Sequence, residues 1–121
     1  MSFEIILPAW ETKLGNAAAK SMLWHMADQA NPDGVGSMSI QSLHERTEIG
    51  KPAIQRYFQI FEQIGLIGSV QWSDPVSTGT PMRVGFEFST EKLGTDLTKE
   101  FTLALASAST LVSPSSKFRS S

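Results

Sequence analysis

The side chains with the most chemistry to offer lie between residues 37 and 83. Lys51, Gln55 and Gln59 recur every four residues with Arg56 next to Gln55, which places the four along one side of a helix. An arginine fork matches guanine O6 and N7, and a glutamine amide matches adenine N6 and N7, so this face could read base edges. A solvated helix surface carries the same residue types. His44-Glu45-x-x-Glu48 has part of the spacing of a zinc-protease helix, but the second histidine is missing. His25 and Asp28 stand one turn apart, and no third ligand accompanies them. No glycine-rich phosphate loop or serine nucleophile elbow occurs. The expectation is a non-enzyme with no cofactor and no metal.

Composition narrows the classes further. The 121 residues hold 10 Lys and Arg against 12 Asp and Glu, for a formal charge of −2. The isoelectric point near 5.6 excludes a uniformly basic surface. Within residues 37–59 the cations Arg46, Lys51 and Arg56 exceed the anions Glu45 and Glu48 by one. One copy would therefore hold phosphate weakly, and useful nucleic-acid binding would call for a homodimer or a partner protein. Zero cysteines remove disulfides, thiolate nucleophiles and Cys-ligated zinc. No apolar run approaches the ~18 residues of a membrane span, and the first residues have no signal-peptide pattern, so the expected location is cytoplasmic.

The elements that must position these residues follow from apolar periodicity. Asn16 is a good N-cap for a helix over 16–30, with Ala18, Met22, Met26 and Ala30 inward and Trp24 on the polar side. Trp24 either packs under a neighbouring segment, such as Ile5-Ile6-Leu7 or the C-terminal helix, or marks an oligomer contact. Asn31-Pro32-Asp33-Gly34 ends that helix, and residues 36–38 have room for only a stub of strand. Ser39 caps a helix over 40–47, Lys51-Pro52 opens one that runs to about 64, and Gly65 closes it. Strands are expected over 66–72 and 82–88, joined by a Ser-, Thr-, Pro- and Gly-rich tip at 73–81. Leu93, Leu97, Phe101 and Leu105 predict a further helix over 91–106. Residues 107–121, with seven serines, are expected to form a disordered tail, which leaves 1–106 as the folded domain.

The stretch Ser39-Ile-Gln-Ser-Leu43-His-Glu-Arg-Thr-Glu-Ile49-Gly-Lys-Pro-Ala-Ile54-Gln-Arg56, closing on Ile64-Gly65-Leu66-Ile67, resembles bacterial and phage winged helix-turn-helix domains. Their pattern reads Ser-x-x-x-Leu-Ala, a turn with Gly, Ser-x-x-Thr-Val-x-Arg, then Leu-x-x-x-Gly-Leu-Ile. The opening Ala-Lys-Ser-Met-Leu-Trp-His-Met-Ala-Asp-Gln-Ala-Asn is similar to the first helix of the subgroup in phage and plasmid replication proteins and related regulators. The resemblance spans about residues 8–88. It implies an α+β fold, a three-helix bundle with a β-hairpin wing, here followed by an extra C-terminal helix. It also implies sequence-specific binding of double-stranded DNA, as a transcriptional regulator or replication-linked factor of bacterial, phage or plasmid origin. In the family's docking mode the third helix enters the major groove. The DNA-contacting set is then Ser39, Lys51, Gln55, Arg56, Gln59 and, from the wing, Arg83, with Ser77-Thr78-Gly79-Thr80 at its tip. Four positions depart from the pattern. His44 replaces alanine, Glu48 replaces the turn glycine, and Gly50 and Ala53 replace two hydroxyl residues that touch phosphate. Those losses favour an alternative reading, a winged helix used for protein–protein contact or oligomerisation.

Overall fold

The computed structural model describes residues 3–73 and 82–112, with side chains as far as residue 107. The expected hairpin tip, including Ser77 to Thr80, falls outside the described residues.

Among the described residues, five helices and a three-stranded antiparallel sheet follow one another as α1 (Phe3–Glu11), α2 (Ala17–Asp28), β1 (Val35–Ser39), α3 (Ile40–Thr47), α4 (Lys51–Gln63), β2 (Ile67–Trp72), β3 (Arg83–Phe88) and α5 (Thr98–Val112). The sheet order is β1-β3-β2. β1 is a full partner of β3, from Val35 opposite Glu87 to Ser39 opposite Arg83, and not the stub that residues 36–38 suggested. β2 carries one extra residue between Gly68 and Gln71, and Ser69 absorbs it with φ 53°.

Local signals explain most boundaries. Asn16 accepts from the Ala19 N–H at 3.0 Å and starts α2. Asn31 turns the chain after it, its side chain accepting from the N–H groups of Asp33 and Val35. Ser39 caps α3 through the Ser42 N–H at 2.9 Å. At the end of α4, Gly65 takes φ 82°, so that its N–H reaches Glu62 O and that of Leu66 reaches Phe61 O. That pairing satisfies the last carbonyls and lays Leu66 against the helix.

Two regions differ from expectation. Residues 3–11, read only as an apolar segment, form α1, which buries Ile5 and Ala9. The C-terminal helix starts at Thr98, seven residues later than the spacing suggested. Leu93 and Leu97 are both buried, so the apolar spacing is real, but Gly94 at φ 90° interrupts the helical path between them. At its far end α5 continues through Val112, so residues 107–112 are helical rather than tail. Residues 113–121 fall outside the described residues.

The core joins Met22, Leu23 and Met26 of α2 to Ile40 and Leu43 of α3, Ile54, Phe58, Ile60 and Phe61 of α4, and Val84, Phe86 and Phe88 of the sheet. Phe101 of α5 closes it from the side, beside Phe61 and Tyr57. A clasp ties the first loop to the last. The buried Thr12 hydroxyl donates to Pro8 O and accepts the Gly94 N–H, and Lys13 exchanges backbone bonds with Thr95 and Leu97.

Candidate nucleic-acid interface

α3 and α4 are joined by only Glu48, Ile49 and Gly50, so this turn sets how the α4 face is presented. Glu48 adopts φ 61° and donates its N–H to His44 O. The His44 ring pins the turn from the other side: Nδ1 lies 2.7 Å from Ile49 O and, since a carbonyl only accepts, carries the proton. Thr47 donates its hydroxyl to Leu43 O and accepts the Ile49 N–H. His44 therefore has a structural task that an alanine could not perform. α4 then begins on Gly50, which offers no side chain to cap it, with Pro52 in the first turn.

Four of the six expected DNA-contacting residues meet where α3, α4 and β3 converge. Lys51 and Gln55 line a concavity of about 240 Å3 with Ile40, Gln41 and Met82. The Gln55 amide nitrogen lies 3.6 Å from Met82 Sδ, so this side chain leans toward the start of β3. Met82 O accepts the Ile40 N–H, which fixes the strand start against the start of α3. Next to it, Ser39 and Arg83 face each other in the β1–β3 ladder. The Arg83 guanidinium donates to Ser37 Oγ at 3.3 Å and lies along the sheet, while Ser39 Oγ is occupied as a helix cap. Arg56 and Gln59 are exposed further round α4, opposite Phe58 and Phe61, and belong to no cluster. Asp74, which would oppose Arg83, falls outside the described residues.

Gln41 and Met82 complete the concavity and were not singled out in the sequence. Gln41 sits two residues after a helix cap, a spacing that marks the exposed first turn; for Met82 no sequence signal exists, because its position depends on strand pairing. Arg46 is exposed on α3. Together with burial of the ring, its charge lowers the His25 pKa below the ordinary value, and Asp28 partly opposes the shift.

Elsewhere, Trp24 is half-buried, edge-on to His25 at 5.5 Å, with its indole nitrogen shielded and unpartnered. It lines one groove with Trp10 of α1, the helix that contains Ile5-Ile6-Leu7. Among the described residues, no three His, Asp or Glu side chains converge as a metal site, and no helix is long and apolar enough to cross a membrane. No family model, curated protein or solved structure matches the chain.

Proposed function

We propose that the chain is a winged helix-turn-helix protein that binds double-stranded DNA in a sequence-specific manner, as a small regulator or replication-linked factor, without catalysis. One observation carries this reading. The order helix, strand, helix, short turn, helix, two strands has its first strand paired to its last, and it leaves Lys51 and Gln55 at the N-terminal end of α4 next to Met82 and Arg83, with Arg56 and Gln59 exposed further along the helix. A helix presented in this way, flanked by a hairpin, has the shape and donor groups suited to a major groove. The surplus of cations over this surface is small, so a second copy is expected to add phosphate contacts.

Protein–protein contact is the competing reading. It is favoured by the bare Gly50 cap, which adds no hydroxyl toward a phosphate, and by the lean of Gln55 onto Met82. Selection of duplexes from a random library with the purified protein separates the two. Enrichment of a consensus whose binding weakens steeply with salt supports DNA reading. Failure to enrich any sequence, with no duplex bound at low salt, hands the role to protein contact.

A further inference from the structure

α1 is apolar on two opposite sides. Ile5 and Ala9 are buried against the core. On the other side Phe3, Leu7 and Trp10, at four- and three-residue spacing, remain 77%, 60% and 63% exposed. They are three of the most exposed large apolar side chains of the described residues. A solvated helix would carry polar groups on that side. At its C-terminal end the stripe opens into a shallow groove of about 450 Å3 between Trp10 and α2, lined by Ala17, Lys20, Ser21 and Trp24. The groove is held in shape by Lys20, whose ammonium donates to the carbonyls of Trp10 and Thr12 and so ties the end of α1 to α2.

We propose that this surface is the interface between two copies of the chain, packed with their α1 helices antiparallel about a two-fold axis through Leu7. The stripe is self-complementary in that arrangement. Phe3 and Trp10 lie seven residues apart, roughly 10 Å along the helix. Reversal about Leu7 therefore sets Phe3 of one copy over Trp10 and into the groove of the other, and the same contact recurs by symmetry. A flat stripe with no groove would accept many partners, whereas a ring at one end and a matching recess at the other suit a second copy. The three side chains expose roughly 400 Å2 of apolar surface per copy, the size of patch that marks an interaction site. With both copies and the groove walls the buried total is about 1,000 Å2, just under the ~1,200–2,000 Å2 of stable complexes, which suits a weak, reversible dimer with a Kd on the order of tens of micromolar.

Such a dimer supplies the second copy that DNA reading calls for, yet it is measured on DNA-free protein, so the two readings fail separately. Analytical ultracentrifugation of the full chain should show the average mass rising from one chain toward two between about 1 and 100 µM. Leu7→Asp places two carboxylates face to face on the axis and should hold the protein at one chain throughout, with its melting temperature at about 1 µM, where the wild type is also one chain, unchanged because Leu7 is outside the core. The chain has no cysteine, so Leu7→Cys gives a clean second measurement. Mild oxidation should link that variant to covalent dimer, while Glu62→Cys on the exposed face of α4 should stay unlinked. A wild type that remains one chain at the highest concentration overturns the proposal. So does a Leu7→Asp protein that dimerises as the wild type does, or a Leu7→Cys protein that links no faster than Glu62→Cys.

Discussion

Arg56 and Lys51 share the exposed arc of α4 but are suited to different work. Lys51 stands at the mouth of the helix in the concavity beside Met82, where a compact ammonium meets a phosphate more readily than a base edge. Arg56 lies further along, opposite the buried Phe58, with nothing to prevent its fork from reaching into a groove. Arg56→Ala should weaken the selected site by about 1–3 kcal/mol and blur its sequence preference, whereas Lys51→Ala should weaken all sequences alike and lower the salt slope by about one. A salt titration on the selected and a scrambled site reads both; two mutants that bind as wild type would remove α4 as the reader. Glu48 gives a second handle. Its left-handed conformation costs a non-glycine residue about 1–2 kcal/mol, and the added freedom of an unfolded glycine offsets part of the relief. Glu48→Gly should raise urea stability by up to about 1 kcal/mol and strengthen DNA binding by removing a carboxylate near α4. A loss of stability would mean that the Glu48 side chain makes a stabilising contact. The need for φ > 0 at this position was legible from the turn pattern. The role of His44 was not, because a hydrogen bond from its ring to Ile49 depends on how sharply the turn closes.

At the level of single elements, α4 is anchored through an aromatic joint. Phe58 is fully buried, edge-on to Trp72 at 5.6 Å and tilted against Phe86 at 6.2 Å, so it joins the helix to two strands. Phe58→Ala should cost about 3–5 kcal/mol in denaturant unfolding; a cost below about 1 kcal/mol would show the helix face to be misassigned. The joint between α2 and α3 has a pH signature. His25 faces Arg46 across it, sits edge-on to Trp24 and has Asp28 one turn along its own helix. Burial first and Arg46 second lower its folded pKa below the ordinary 6.5. The unfolded chain therefore takes up the proton first: stability is fully present above about pH 6.5 and is lost as pH falls through the folded pKa. His25→Gln should flatten that part of the melting curve against pH, and an unchanged slope would assign it to another group. Caps and periodicity revealed α2, α3 and α4 because each carries its own signal within a dozen residues. α1 was hidden by Pro8 and by apolar residues on both sides, which erase the contrast that periodicity relies on. The start of α5 was misplaced because Leu93 is buried by tertiary packing while lying in a turn.

Across the whole molecule, the surface that would meet DNA is built from segments brought together by strand pairing, which is why Lys51, Gln55 and Arg83 were readable from residue types while the place of Met82 and Gln41 beside them was not. The clasp between the first loop and the last has a kinetic consequence. Thr12 and Gly94 are 82 residues apart, and the bonds of Lys13 to Thr95 and Leu97 span a similar distance. Closing so long a loop is entropically costly, so these contacts should form after α2, α3, α4 and the sheet have already condensed. Thr12→Val keeps the shape and removes the hydroxyl that both Pro8 and Gly94 use; it should destabilise by about 1–3 kcal/mol. Nearly all of that loss should appear as faster unfolding, with refolding hardly changed, in stopped-flow measurements. Equal slowing of refolding would place the clasp in the nucleus instead. During synthesis, the same order leaves the loop at Thr12 unfastened until the segment around residue 97 has left the ribosome, whereas α2, α3 and α4 are free to pack on one another well before then.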